Sequence, residues 1–164
     1  MAKGFTLIEV LVVLTIVSIL LVNSFTLTKD FLDYFHFQTA INKIVTDLNW
    51  ARNQAIASGE KYGVAFSKAE RAYYLIKNKE VGEIIRQEEI SEQKDKLAIK
   101  EITFPGYEHE KFPEITHAVF FQELGNLADH NGKIVIEFKG LEAKEIVYSS
   151  NAGELNIRQV DKGE

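Results

Sequence analysis

Between Lys3 and Lys29 the chain runs for 25 residues with a single charge, Glu9. As a helix rising about 1.5 Å per residue, such a run is long enough for the roughly 30 Å hydrocarbon layer of a bilayer. A membrane helix is therefore expected over residues 5–28. A carboxylate in that setting costs about 2.5 to 3.5 kcal/mol on insertion scales, which marks Glu9 as a functional residue. Lys3 and the amino terminus precede the run, whereas Lys29 is followed closely by Asp30 and Asp33. That asymmetry predicts a cytoplasmic N-terminus, a single pass through the cell membrane, and a body outside it. A cleavable secretory signal ending near Val22-Asn23-Ser24 fits less well, because the run exceeds the usual length of about 7 to 15 residues and Glu9 interrupts its start.

The rest of the 164-residue chain has room for one domain. Beyond residue 28 it carries 18 Lys and Arg against 23 Asp and Glu, so a polyanion is not drawn to it as a whole. With no cysteine there is no disulfide framework and no thiolate metal site. From Lys29 to Ser58 the residues Ile41, Ile44, Val45, Leu48, Ala51, Ala55 and Ile56 recur at steps of three and four, with Asn42, Lys43, Asp47, Asn49 and Asn53 between them. This is the period of an amphipathic helix. No proline or glycine separates it from the apolar run, so one helix from about Phe5 to Ser58 is expected, capped by Gly59. Trp50 is read as a packing residue and Arg52 as a solvated charge.

After Gly59 the period becomes alternating. "KYGVAFSK" and "RAYYLIKN" form a hairpin pattern, followed by "GEIIRQEEI" and "LAIKEITF" on either side of the polar "SEQKDK". The loop "PGYEHEKFPE" precedes "THAVFFQ", "GKIVIEF", "KEIVYSS" and "GELNIRQV", the last two joined through residues 151–153. The expected fold is α+β: a long N-terminal helix packed on an antiparallel β-domain spanning 59–164, with residues 29–58 as the amphipathic half of the helix.

Catalytic patterns are missing. His36, His109, His117 and His130 make no HExxH pair; His109 and His117 are eight apart and could meet, but "PGYEHEKFPE" reads as an exposed polar loop. "LADHNG" invites a calcium-loop reading that fails, because Leu127 and Phe138 would occupy positions that need carboxylates. There is no phosphate-binding glycine loop and no serine elbow. Neither an enzyme nor a cofactor or metal is expected, and "EEISEQKDK" reads as a solvated edge.

"KGFTLIEVLVVLTIVSILL" closely resembles the N-terminal signal of type IV pilins and pseudopilins. The resemblance implies a leader of residues 1–4, cleavage between Gly4 and Phe5 by a prepilin peptidase, N-methylation of Phe5, and an assembly role for Glu9, which would pair with the terminal amine of a neighbouring subunit. It also implies partners: other major and minor pseudopilins through the N-terminal helix, and the membrane. "LNWARNQAIASG" resembles a helix end of the GspH-like minor pseudopilins, and "VFFQELGNLADHNGKIVIEF" with "KEIVYSSNAGELNI" resembles the C-terminal strands of the ComGD family of competence minor pilins. The function implied is a minor pseudopilin that initiates or caps a competence pilus for DNA uptake, exposed at the cell surface after assembly. Two alternatives stay open. One is a DNA receptor at the pilus tip, with Lys77, Lys79 and Arg86 on phosphates and an exposed Tyr73 or Tyr74 stacked on bases. The other is a minor pseudopilin of a type II secretion system.

Overall fold

The computed structural model describes residues 4–90, 96–128, 131–138, 143–149 and 154–160, with the side chains of 22–28, 30, 149 and 154 outside the description. Lys3, most of the "SEQKDK" stretch, Asp129 and His130 of "LADHNG", and the turn at 151–153 therefore lie outside the described residues. Helix α1, Leu7–Ser58, is followed by eight strands: β1 Tyr62–Ser67, β2 Ala72–Lys77, β3 Glu83–Glu89, β4 Leu97–Ile102, β5 His117–Phe121, β6 Gly132–Phe138, β7 Ala143–Ser149 and β8 Glu154–Val160. The chain divides into two compact units, residues 1–36 and 37–164.

In the first unit, α1 begins at a threonine. The Glu9 amide reaches the Thr6 hydroxyl at 3.4 Å and the Thr6 carbonyl at 3.1 Å, so Thr6 stands as the N-cap with Glu9 three residues on, the spacing of a capping box. Along the apolar run, Thr15 donates to the Leu11 carbonyl at 2.8 Å and Ser18 to the Leu14 carbonyl at 2.7 Å. Both hydroxyls are thus satisfied inside the helix. Large apolar side chains are exposed on all sides, from Leu7 to Leu21. Among the described residues no helix is long and apolar enough to cross a membrane. The span expected over 5–28 rests on the sequence, since the side chains that would complete it are outside the description.

The second unit is held by the stripe Phe37, Ala40, Ile41, Ile44, Leu48, Ala51 and Ala55, all buried. The helix ends where expected: Gly59 takes a φ of 69° and its amide donates to the Ala55 carbonyl at 3.0 Å, a left-handed cap that suits glycine. Two antiparallel four-stranded sheets follow, ordered β3-β2-β1-β5 and β4-β6-β7-β8. The helix stripe shares one core with Val64, Phe66, Tyr73 and Leu75 of the first sheet and Ile99, Ile134, Ile136 and Ile146 of the second. The opposite face of the first sheet carries a second cluster, Ala65, Tyr74, Ile76 and Phe120, covered by Tyr107, Phe112 and Ile115. Strands β1 and β2 are therefore buried on both faces, which is why alternation in them is apolar throughout.

Three expectations need correction. "PGYEHEKFPE" is not an exposed polar loop: its aromatic residues draw it onto the second cluster, and His109 is buried, with Nε2 2.6 Å from the Gly82 carbonyl and Nδ1 accepting from the Lys111 amide at 3.1 Å. Asp47 is not on the solvent side of α1. It lies beside Ile44 and Leu48, is buried, and accepts from the Tyr73 hydroxyl at 2.6 Å and from Arg86 Nη2 at 2.5 Å. Ile56, by contrast, falls at the margin of the stripe and is half exposed.

Burial first, and then the hydrogen bond to Asp47, push the Tyr73 phenol well above its ordinary value; burial and the bond to Glu70 do the same for Tyr74. Both tyrosines hold their protons more tightly folded than unfolded. The stability they confer is complete below about pH 10 and is lost as pH rises above it, because the unfolded chain gives up those protons first. Thermal midpoints measured from pH 8 to 11 are expected to fall at the alkaline end, and less steeply in Tyr73→Phe. At neutral pH, Asp47→Ala leaves the Tyr73 hydroxyl buried without its acceptor and is expected to cost about 1 to 3 kcal/mol in urea unfolding. Adding Tyr73→Phe should recover part of that loss.

Candidate functional site

The cleavage and assembly residues expected from the sequence all lie in the first unit. Gly4 and Phe5 precede the helix, Phe5 is 84 % exposed, and Glu9 is exposed in the first turn. A Cβ placed on Gly4 would meet nothing within 4 Å, and its φ is not left-handed, so the chain's own fold does not require a glycine there. Thr6 and Glu9 share the cap of α1, a link the sequence signals as Thr-x-x-Glu before an apolar run and which the expectations above did not use.

The cations proposed for DNA lie in the second unit, Lys77 and Arg86 on the side of the first sheet that meets α1 and Lys79 on the other. Lys77, at the end of β2, pairs with Glu60 at 2.6 Å and sits over the Tyr62 ring at 6.0 Å; the hydrogen bond to Glu60 raises its ammonium above the usual range. Arg86 on β3 pairs with Asp47 at 2.5 Å and with Glu88 at 3.0 Å, on the side of the sheet that meets α1. Lys43 of α1 reaches the other Glu88 oxygen at 2.5 Å, so helix and sheet are joined by a chain of alternating charges. Lys79 is not on a strand: it follows β2 in the turn and lies 5.9 Å from the Phe120 ring, in the cluster on the opposite face. The tyrosines meant for base stacking are unavailable, because Tyr73 and Tyr74 are at most 1 % exposed and spend their hydroxyls on Asp47 and Glu70.

Arg52 also departs from its expected role as a solvated charge. Its Nε donates to the Gly125 carbonyl at 2.9 Å and holds the β5–β6 connection against α1. Trp50 packs as expected, edge-on to Tyr62 at 6.0 Å. A cleft of about 640 Å³ borders Tyr107, Glu108, His109 and Thr116, but the His109 ring is spent on backbone partners and His117 Nδ1 faces the Thr116 hydroxyl at 2.8 Å. Among the described residues no group of His, Cys, Asp and Glu could hold a metal ion.

With this geometry in place, residues 1–22 match the prokaryotic N-terminal methylation motif. The fold is similar to that of the minor pseudopilin EpsH from the type 2 secretion system of Vibrio cholerae, with TM-score 0.55 and 16 % identity over 79 % of this chain and 99 % of that one. A second structure of EpsH gives TM-score 0.54 and 17 % identity over 78 % and 97 %. The type IV minor pilin FimU of Pseudomonas aeruginosa matches with TM-score 0.57 and 13 % identity over 80 % and 97 %. No curated protein matches the chain. An N-terminal methylation motif and a fold similar to those of EpsH and FimU thus occur together in one molecule.

If Arg86 works as a structural cation, Arg86→Ala should lower stability by about 1 kcal/mol, since half of its side chain stays in water. Urea unfolding of the variant against the parent measures it.

Proposed function

We propose that this chain is a minor pseudopilin of a competence pilus, cut after Gly4, methylated at Phe5 and anchored in the cell membrane by a single N-terminal helix. It helps to initiate or cap pilus assembly, and the pilus takes up DNA. The observation that carries the assembly reading is the conjunction of the methylation motif over residues 1–22 with a helix-and-two-sheet body of the minor-pilin kind. The open space at Gly4 supports an external requirement for the glycine, such as a peptidase cleft that a side chain would crowd. Glu9 then lies about one turn from the new amine, where the carboxylate of one subunit can pair with the terminus of its neighbour and fix their register. Competence is favoured over secretion by the resemblance of the C-terminal strands to the ComGD family. A scaffold is favoured over a DNA receptor because Lys77 and Arg86 are committed to carboxylates and Tyr73 and Tyr74 to the core.

Two measurements test the reading. Mass spectrometry of the protein recovered from membranes should show methylated Phe5 as the N-terminus, with Gly4→Val left uncut; an intact Met1 in the unaltered chain defeats it. Glu9→Val should insert into the membrane as well as the parent or better, while its incorporation into pili and the transformation frequency fall. Normal transformation with unchanged protein secretion after deletion of the gene removes the competence assignment, and a secretion defect in its place gives the chain to a secretion system.

A further inference from the structure

The loop 105–116 before β5 is built more firmly than its charges suggest. Its two limbs are joined at the neck, where the Tyr107 amide donates to the Thr116 carbonyl at 3.0 Å and Gly106 bridges to His117. Farther out, the Ile115 amide donates to the Phe112 carbonyl at 3.1 Å. One limb is tied to the β2–β3 turn through His109 Nε2 at the Gly82 carbonyl, while Phe112 and Ile115 sit in the second cluster. Between the limbs lies the cleft of about 640 Å³, with Tyr107, Glu108 and His109 on one wall, Pro113, Ile115 and Thr116 on the other, and Gly106 at the neck. That volume falls within the roughly 300 to 1,000 Å³ of ligand sites, and walls held in this way exist before anything enters.

The chemistry of the walls is one-sided. His109 has both ring nitrogens taken by backbone groups, the Thr116 hydroxyl faces His117 Nδ1, and the Tyr107 hydroxyl lies 3.5 Å from the Lys79 carbonyl. Glu108 is the one acidic side chain on the walls; it is exposed and makes no ion pair or hydrogen bond among the described residues. The loop also carries Glu110 and Glu114 against a single cation, Lys111, so an anion is repelled from it. Pro113, Ile115 and the Tyr107 ring are apolar. A cation on an aliphatic stem satisfies all of this, because the stem covers the apolar wall while the head meets the carboxylate and the ring.

Gly106 adds an independent observation. Its φ is not left-handed and a Cβ built on it would meet nothing within 4 Å, so neither the backbone nor the packing of the chain requires a glycine there. A side chain at that position would take up space in the cleft it lines.

We propose that this cleft receives the basic side chain of a partner polypeptide, its charged head on Glu108 and the Tyr107 ring and its stem along Pro113 and Ile115. A nucleic acid is the wrong occupant, since its phosphates would meet Glu108, Glu110 and Glu114. The cleft is larger than one side chain, so residues flanking the basic one enter with it, which a free amine cannot match.

The test is equilibrium dialysis of the full-length protein in lipid nanodiscs against four isotopically labelled probes. These are the blocked tripeptide acetyl-Ala-Arg-Ala-amide, its counterparts with citrulline or glutamate in the centre, and free agmatine. The arginine peptide is expected to bind at least about tenfold more tightly than the citrulline peptide or agmatine, and the glutamate peptide not at all. Glu108→Gln should bring the arginine peptide down to the level of the citrulline one, while Glu108→Asp retains a preference for charge. Gly106→Leu should abolish binding with the thermal midpoint unchanged, because the added side chain meets only the cleft. No binding of the arginine peptide up to about 10 mM, equal binding of the citrulline peptide, agmatine as tight as the peptide, or binding indifferent to Gly106→Leu or Glu108→Gln each overturn the proposal. None of these outcomes touches cleavage at Gly4 or the role of Glu9, so the cleft and the assembly reading stand or fall separately.

Discussion

Two sheets with no strand in common are held in one body because both lean on the same helix stripe. Ile41, Ile44 and Leu48 touch a core that includes Phe66 and Leu75 from one sheet and Ile136 and Ile146 from the other. Among the described residues the one further buried cluster lies on the far side of β1 and β2, away from the second sheet. The spacing of the stripe therefore decides more than the helix: a polar residue at Ile44 would loosen both sheets at once. Alanines at positions 40, 51 and 55 serve the same end, since small side chains allow strands to come close to the helix.

Asp47 interrupts that apolar wall, and its surroundings show why it is tolerated. A carboxylate buried among Ile44 and Leu48 would be costly alone, but Tyr73 and Arg86 supply hydrogen bonds to its two oxygens, and Arg86 is in turn shared with Glu88. The pairing also constrains geometry. An apolar contact allows sliding along the helix, whereas a carboxylate with two directed partners, one from β2 and one from β3, fixes where the hairpin sits.

What could be read from the sequence follows the range over which each signal acts. The end of α1 was legible because Gly59 stands immediately beyond the last stripe residue, and all eight strands were legible because alternation begins and ends at local turn residues. Strand order was not: β1 lies beside β5 across some fifty intervening residues, and nothing local to either strand encodes that neighbour. The loop before β5 misled for a different reason. Glu108, Glu110 and Lys111 dominate its composition, but Tyr107, Phe112 and Ile115 dominate its burial, and only the exposed underside of a sheet elsewhere in the chain gives those three a place to go. Of the proposed site, Gly4, Phe5 and Glu9 were legible as a linear motif, while the fate of Lys77 and Arg86 depended on partners at Glu60 and Asp47 that no spacing rule connects to them.

The hydroxyls of Thr15 and Ser18 turn inward to carbonyls one turn back, and this has a consequence for the N-terminal run. Along the described residues from Val10 to Leu21 no side-chain hydroxyl needs an outside partner, so replacing one oily environment by another, acyl chains by the flank of a similar helix, breaks no hydrogen bond there and makes none. Such an exchange is close to isoenergetic along the run and can proceed in either direction. Glu9 is the exception: from Leu7 to Leu21 it is the one charged group, so the burial that leaves its neighbours indifferent penalises it unless a partner meets it.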